Sequence, residues 1–355
     1  MRSVDDCGIA EVTSSRSKLV CVVSVLVVLA LATWTPWRMS GQSPDGWTVP
    51  RTPEGRPDMQ GVWLSNTATP VERPPALGNR QRLTDKEVAA LRERADRIFR
   101  NGRSAFSTPQ DAFFAALHDV DTHEAWTTSS SVGMVDLEFI NRTSLVVEPV
   151  NGRIPSRTQE AQARAAAVDD GWQFKTGPED FSNIHRCITT GVPRLGGNFG
   201  AGPYTYYQIV QTTAYFAFLN EAFHDTRIVP LDGSPHLPER IQQWNGDSRG
   251  YWEGDTLVVE TRNFSSDSYF RGAAENLQLI ERFTRTGPDT LTYRMTFSDP
   301  TTWTSPWTAE LPLKHRDQEA IYEFACHEGN VSIVGMLRTA RLEEDGERST
   351  GSRSR

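Results

Sequence analysis

The second half of the chain alternates apolar and polar residues over short runs, which is the period-two pattern of half-buried β-strands. Turn residues such as Gly, Asn, Asp and Pro separate these runs. The predicted strands are Tyr204–Val210, Tyr215–Phe223, Tyr251–Glu253, Thr256–Thr261, Asn276–Arg285, Thr290–Ser298, Trp307–Lys314, Ala320–Ala325 and Val331–Leu337. A series at this spacing predicts a mainly β fold, an antiparallel lipocalin-like barrel or a sandwich.

The first half carries helical signals that predict peripheral N-terminal helices. Thr84 and Glu87 have the spacing of a capping box, which predicts a helix over 85–101. Shorter helices are predicted over 159–168 and 178–187. Before them, Gly61-Val62-Trp63 is the kind of Gly-x-Trp that opens the first strand of lipocalin-like barrels, although an ordinary core tryptophan explains it equally well. The alternative architecture is a small helical domain over 50–135 beside a β domain.

The N-terminal segment is predicted to be a signal peptide or an uncleaved anchor, over 1–41. Arg16 and Lys18 precede an apolar run of signal-peptide length, with cleavage sites near Ala32 or Gly41. A linker over 42–60, one β-rich domain over 61–342 and a disordered tail over 343–355 are expected to follow. This arrangement predicts a periplasmic or extracellular protein, which contacts a membrane only if the segment remains.

Two cysteines lie beyond the apolar N-terminal region, Cys187 and Cys326. An even pair in an oxidising compartment predicts a disulfide. Closing a loop of about 140 residues stabilises a fold by roughly 4–5 kcal/mol in the chain-entropy model. A metal site that also uses His185 and His327 does not match a standard zinc spacing, and free thiols are the remaining alternative. No metal site is therefore predicted.

The charge and the motifs of the sequence argue against several classes of function. The formal net charge is −8 and the basic residues are interspersed, so no basic face for a nucleic acid is predicted. The chain has no Gly-x-Ser-x-Gly elbow, no Walker loop, no His-Glu-x-x-His helix and no glycine-rich nucleotide fingerprint. We therefore expect no cofactor and a small-molecule ligand or substrate as the partner.

Ionisable and aromatic residues are densest between positions 220 and 264, where proton-transfer chemistry is most plausible. His224 is the first candidate for a general acid or base, and Asp225 or Glu221 would orient a neighbour. If one strand ran from 216 to 227, alternation would place His224 with Asn220 on one face and Asp225 on the other. A hydrogen-bonded core histidine without chemistry is the competing interpretation of His224.

The same stretch supplies candidate substrate-binding residues. Arg249 has the geometry to clamp an anion, although an ion pair with Asp247 would explain it as well. Other candidates are Tyr251 and Trp244 as a stacking wall, His236 in a loop, and His185 near the cysteines. For His236 a surface turn is the competing interpretation.

Several segments together resemble a large family of uncharacterised secreted bacterial proteins. They include RTPEGRPDMQGVW, FHDTRIVPLDGSPHLP, QWNGDSRGYWEGDTLVVETRNF and YEFACHEGN, and the resemblance covers roughly residues 50 to 342. It implies export and one shared architecture, but it carries no activity. The residues themselves favour an exported enzyme, a hydrolase or lyase that uses acid–base chemistry without a cofactor. The alternative is a non-catalytic lipocalin-like protein that binds an apolar or aromatic ligand.

Overall fold

The computed structural model describes residues 46–99, 113, 116–118, 138–169, 177–189, 191–193, 206–221, 223, 225–268, 270–316 and 318–351. The helices of these ranges include α1 (Asp85–Phe99), α2 (Gln159–Asp169) and α3 (Ser332–Gly351), with 3₁₀ turns at Pro75–Leu77 and Pro178–Asp180. The strands are β1 (Gly61–Leu64), β2 (Val146–Glu148), β3 (Tyr206–Gln211), β4 (Tyr215–Asn220), β5 (Thr226–Pro230), β6 (Asp247–Glu253), β7 (Thr256–Arg262), β8 (Gln278–Gly287), β9 (Thr290–Ser298) and β10 (Trp307–His315).

These strands form one antiparallel sheet, which confirms the mainly β prediction and favours a barrel over a sandwich. The strand order is β5-β4-β3-β1-β10-β9-β8-β7-β6, and β2 pairs with β10 beside this path. Strands β3 to β5 and strands β6 to β10 are two meanders joined by β1. The sheet curls into a nearly closed barrel, whose two terminal strands are β5 and β6.

A glycine explains how closely the two terminal strands approach. A Cβ atom on Gly250 of β6 would lie 2.6 Å from Cδ2 of Leu231 and 2.9 Å from Cγ1 of Val229 in β5. Real Cβ atoms do not approach other carbons so closely, so no larger residue fits here without displacing the wall. The hairpin between β6 and β7 turns at Gly254 and Asp255, as predicted, and Gly254 supplies the positive φ.

The barrel core consists of the alternate residues of each strand. In β9, for example, Leu291, Tyr293, Met295 and Phe297 are buried and their neighbours are not. Trp63 of β1 is fully buried, and its Nε1–H donates to the carbonyl of Met59 at 2.9 Å. Trp303 and Trp307 also pack in the core, and Trp307 stacks on Phe297 with ring centroids 4.2 Å apart.

A second, smaller core lies under α1. Val88, Leu91 and Ala95 face apolar residues from the preceding loop and from residues 113 to 139. The capping box is present: Glu87 N–H donates to Thr84 Oγ1 at 3.3 Å, and Thr84 N–H donates to Glu87 Oε2 at 2.8 Å. The helix predicted over 159–168 is also present, as α2.

Several local predictions are wrong. Ala320–Ala325 forms no strand, and the residues predicted as a strand over Val331–Leu337 belong, from Ser332 onward, to the helix α3. This helix continues as far as Gly351, into the tail that was expected to be disordered. The segment predicted as a helix over 178–187 has only a 3₁₀ turn at its start. The single strand over 216–227 is interrupted, because β4 ends at Asn220 and β5 begins at Thr226.

Cys187 and Cys326 form the predicted disulfide, with Cα atoms 5.8 Å apart and a sequence separation of 139 residues. Their sulfur atoms are bonded to each other, so the metal-site alternative and the free-thiol alternative are both wrong. The bond is consistent with an oxidising, exported compartment. Within the ranges that the structure describes, no helix is both long and apolar enough to cross a bilayer.

Candidate functional site

A cavity lies inside the barrel and is mainly apolar in its lining. The recess, including the part that is open to solvent, has a volume of about 450 Å³. The lining residues are Val192, Tyr207, Ile209, Phe218, Asn220, Asp225, Arg227, Phe283, Tyr293 and Leu313. Apolar walls with a few polar groups are typical of small-molecule sites.

The walls are aromatic on one side. The rings of Phe283 and Tyr293 stack with centroids 4.3 Å apart, and the rings of Phe218 and Phe283 are 4.8 Å apart. Phe218, Phe283 and Tyr293 come from β4, β8 and β9, and alternation along each strand turns these side chains inward. The strand pattern therefore builds the wall, and the wall is rigid because the rings support one another.

A buried polar cluster, which we call the Glu281 triad, interrupts this apolar interior. It consists of Glu281, Arg227 and Tyr293. Arg227 donates two parallel hydrogen bonds to Glu281, Nη1 to Oε2 at 2.6 Å and Nη2 to Oε1 at 2.9 Å, and the Tyr293 hydroxyl donates to Oε1. The Glu281 side chain is fully buried and does not line the cavity, whereas Arg227 and Tyr293 do.

Burial and charge shift the pKa values of Arg227 and Tyr293. Burial lowers the pKa of Arg227, but the Glu281 carboxylate more than offsets it, so the pKa lies above its ordinary value. Burial raises the pKa of Tyr293 well above its ordinary value, and the neighbouring Glu281 charge raises it further. The guanidinium stays charged and the phenol stays neutral at physiological pH. Arg227 also lies over the ring of Phe218, 4.8 Å from its centroid.

Three loops meet beside the cavity at Asp225. Its carboxylate accepts hydrogen bonds from Thr189 Oγ1 at 3.0 Å and from Asn245 Nδ2 at 2.9 Å. Thr189 and the cavity-lining Val192 belong to the segment that the Cys187 disulfide anchors. The disulfide therefore holds one side of the cavity in place through a few residues of backbone.

Of the two predicted catalytic residues that the structure describes, Asp225 lies at the cavity and Glu221 does not. His224 falls outside the described residues. Glu221 follows β4 and accepts the Tyr322 N–H at 3.2 Å; its partial burial raises the pKa of the carboxyl, and that hydrogen bond lowers it less. The predicted face assignment is wrong at Asp225, because Asn220 and Asp225 both line the cavity. β4 ends at Asn220 and β5 begins at Thr226, so the alternation does not continue from one strand to the other. Phe223, between them, adopts a left-handed φ of 60°, and Arg227 of β5 also points into the barrel.

Two of the predicted binding residues, Arg249 and His236, meet at Asp247 instead of at the cavity. We call these three residues the Asp247 cluster. Asp247 Oδ1 accepts from Arg249 Nη1 at 2.6 Å, and Oδ2 lies 2.8 Å from His236 Nδ1 and 2.9 Å from the Leu237 amide nitrogen. Arg249 Nε also donates to the carbonyl of Pro235 at 3.0 Å. This geometry confirms the ion-pair interpretation of Arg249, because the cluster ties the loop after β5 to the start of β6.

The other predicted binding residues lie apart from the cavity. Tyr251 is exposed on β6 and donates to Glu260 at 3.0 Å. Trp244 lines a second recess with Phe264 and Leu277. Tyr251 and Trp244 therefore do not form one stacking wall. His185 is exposed beside the disulfide, with Nδ1 2.7 Å from Ser182 Oγ.

Sequence reasoning missed Glu281 and Tyr293. A signal for Glu281 was present, because it lies between Leu279 and Phe283 at the inward positions of a clearly alternating strand. A charged residue at an inward position indicates a buried partner, because an unpaired buried charge is too costly to keep. Nothing in the sequence identifies that partner, since Arg227 is 54 residues away.

No family model, curated protein or solved structure matches this chain. Within the part of the chain that the structure describes, no group of three or more His, Cys, Asp or Glu side chains is placed to hold a metal ion. The functional argument therefore rests on the cavity and its lining.

Proposed function

We propose that the protein is a lipocalin-like binding protein that holds a small, mainly apolar organic molecule inside its barrel. The single observation that carries this proposal is the cavity, whose walls combine aromatic and aliphatic side chains with a few polar groups. Two of the polar groups at the cavity, Arg227 and Tyr293, are both hydrogen-bonded to Glu281. This arrangement is expected of groups that bind and orient a ligand. Export of the protein through its N-terminal segment is part of the same proposal.

A direct test uses 4-fluorotoluene as the probe and follows its binding by ¹⁹F NMR. The variant Leu313→Phe adds bulk to a lining residue and should weaken binding at least tenfold. Leu311→Phe is the matched control, because Leu311 is buried two residues away on β10 but does not line the cavity. Equal weakening by both variants, or no binding to the unmodified protein, would contradict the proposal.

Acid–base catalysis is a second candidate, and Asp225 is the observation that favours it. Its carboxylate lies at the cavity and is oriented by the two side chains that donate to it, Thr189 and Asn245. In this case a hydrolase or lyase substrate would occupy the cavity. A screen of small esters and hydroxy acids should then show turnover that Asp225→Asn abolishes, while probe binding persists.

A further inference from the structure

The hydrogen bonds of the Glu281 triad leave specific groups for a ligand, and this inference rests on the proposed binding function. Glu281 accepts the Tyr293 proton, so the phenol oxygen faces a ligand only as an acceptor. Arg227 uses two of its five N–H donors on Glu281 and offers only donors elsewhere. The cavity wall therefore presents a hydrogen-bond acceptor, the Tyr293 oxygen, beside the hydrogen-bond donors of Arg227. The Glu281 carboxylate holds both side chains in place.

The charges at the site are balanced before any ligand enters. Arg227 and Glu281 neutralise each other. An anionic ligand would add a charge for which this pair has no free counter-charge. The low polarity of the site makes such an unbalanced charge costly. A cationic ligand would have to approach Arg227, which keeps its charge.

We propose that the ligand carries an uncharged hydroxyl group, which donates to the Tyr293 oxygen and accepts from Arg227, while its apolar body lies against the aromatic wall. A hydroxyl has one donor and two acceptor lone pairs, so it satisfies both side chains at once. The aromatic wall of Phe218 and Phe283 suits a planar body such as a phenol. Glu281 is a positioning residue in this arrangement, because it orders both groups without lining the cavity.

Four probes of similar size, compared by ¹⁹F NMR at pH 7, test the inference on the unmodified protein. They are 4-fluorophenol, 4-fluorotoluene, 4-fluorobenzoate and 4-fluorobenzylammonium. We expect 4-fluorophenol to bind about tenfold more tightly than 4-fluorotoluene, because it gains hydrogen bonds to charged or buried partners. The benzoate and the ammonium should bind more weakly than the phenol.

The variant Tyr293→Phe should lower the ratio of the 4-fluorotoluene Kd to the 4-fluorophenol Kd from about ten toward one, and this ratio is the readout because Tyr293 also lines the cavity. Tighter binding of either charged probe than of the phenol would overturn the hydroxyl assignment, as would equal binding of phenol and toluene. These results leave the proposed function intact as long as 4-fluorotoluene binds at the cavity. Failure of all four probes would instead count against the proposed function. The four-probe comparison needs no variant, so it holds even if Tyr293→Phe does not fold.

Discussion

Two buried carboxylates in this protein each bind one arginine and one side chain with a ring, but the two clusters have different roles in the structure. Glu281 holds Arg227 and Tyr293 inside the barrel, beside the cavity. Asp247 holds Arg249 and His236 at the start of β6. The partners of Glu281 are 54 and 12 residues away in sequence, whereas those of Asp247 are 2 and 11 residues away.

The difference lies in what each carboxylate connects. Asp247 joins neighbouring parts of the chain and so fixes a loop, and its arginine is also bonded to the carbonyl of Pro235 in that loop. Glu281 joins β5, β8 and β9 across the barrel interior and turns its two partners toward a cavity. In this protein, a dense run of ionisable residues in the sequence is therefore weaker evidence of a ligand site than three residues that are far apart in sequence and meet in the folded structure.

The largest expected change in the free energy of unfolding comes from neutralising the Glu281 carboxylate. Glu281→Gln leaves the Arg227 charge buried without its counter-ion, which should lower the free energy of unfolding by about 3–5 kcal/mol. Urea unfolding followed by tryptophan fluorescence measures this change. The triple variant Arg227→Met, Glu281→Met, Tyr293→Phe removes all three polar groups together and should recover most of the loss. A loss in Glu281→Gln no greater than that in Asp247→Asn would refute the contrast between the clusters.

A smaller effect is expected from Asp247→Asn. Arg249 keeps its hydrogen bonds to the carbonyl groups of Pro235 and Ser248 once the carboxylate is gone, so its charge is not left without partners. The loss in unfolding free energy should be about 1–3 kcal/mol, the cost of hydrogen bonds left unmade at a buried group. Hydrogen exchange should show faster opening of the backbone amide of Leu237, which donates to this carboxylate. The affinity for 4-fluorotoluene should not change, and a tenfold loss would place the Asp247 cluster in the binding site.

The third prediction concerns alkaline pH and Tyr293. The folded protein raises the pKa of this phenol well above 10.0, so above pH 10 the unfolded chain loses the proton first. The contribution of Tyr293 to the free energy of unfolding is fully present below pH 10. It falls by about 1.4 kcal/mol per pH unit as the pH rises further. Tyr293→Phe should therefore flatten the decline in unfolding free energy between pH 10 and 11. Tyr251→Phe, at an exposed tyrosine, is the control and should flatten it less; equal slopes would contradict the burial argument.

Strands with unbroken alternation could be located from sequence, and the others could not. The prediction for Thr290–Ser298 matches β9, and those for β7 and β10 are each one residue short. Val331–Leu337 failed because its apolar residues fit a helical spacing as well as an extended one. The structure also offers this segment no place beside β10, since β9 and β1 already occupy both of its edges.

The residues of the candidate site were harder to predict from the sequence than the strands were. Asp225 was predicted from local density and lies at the cavity, but the role of Arg227 depends on a turn that resets the strand alternation at Phe223. Tyr293 looks like any aromatic residue of a barrel wall until Glu281 is found beside it. Convergence across strands depends on how the sheet curls, and short-range patterns do not contain that information.

The short strand β1 also sets the order in which the molecule can be completed during synthesis. It pairs with β3 and β10, which follow it by roughly 145 and 250 residues, so both pairings form late and slowly. Until β10 has been made, β1 lacks one of its two partner strands and presents an unpaired edge that another nascent chain can join. A four-residue segment near the start of the described chain thus governs the period during which the protein is vulnerable to aggregation.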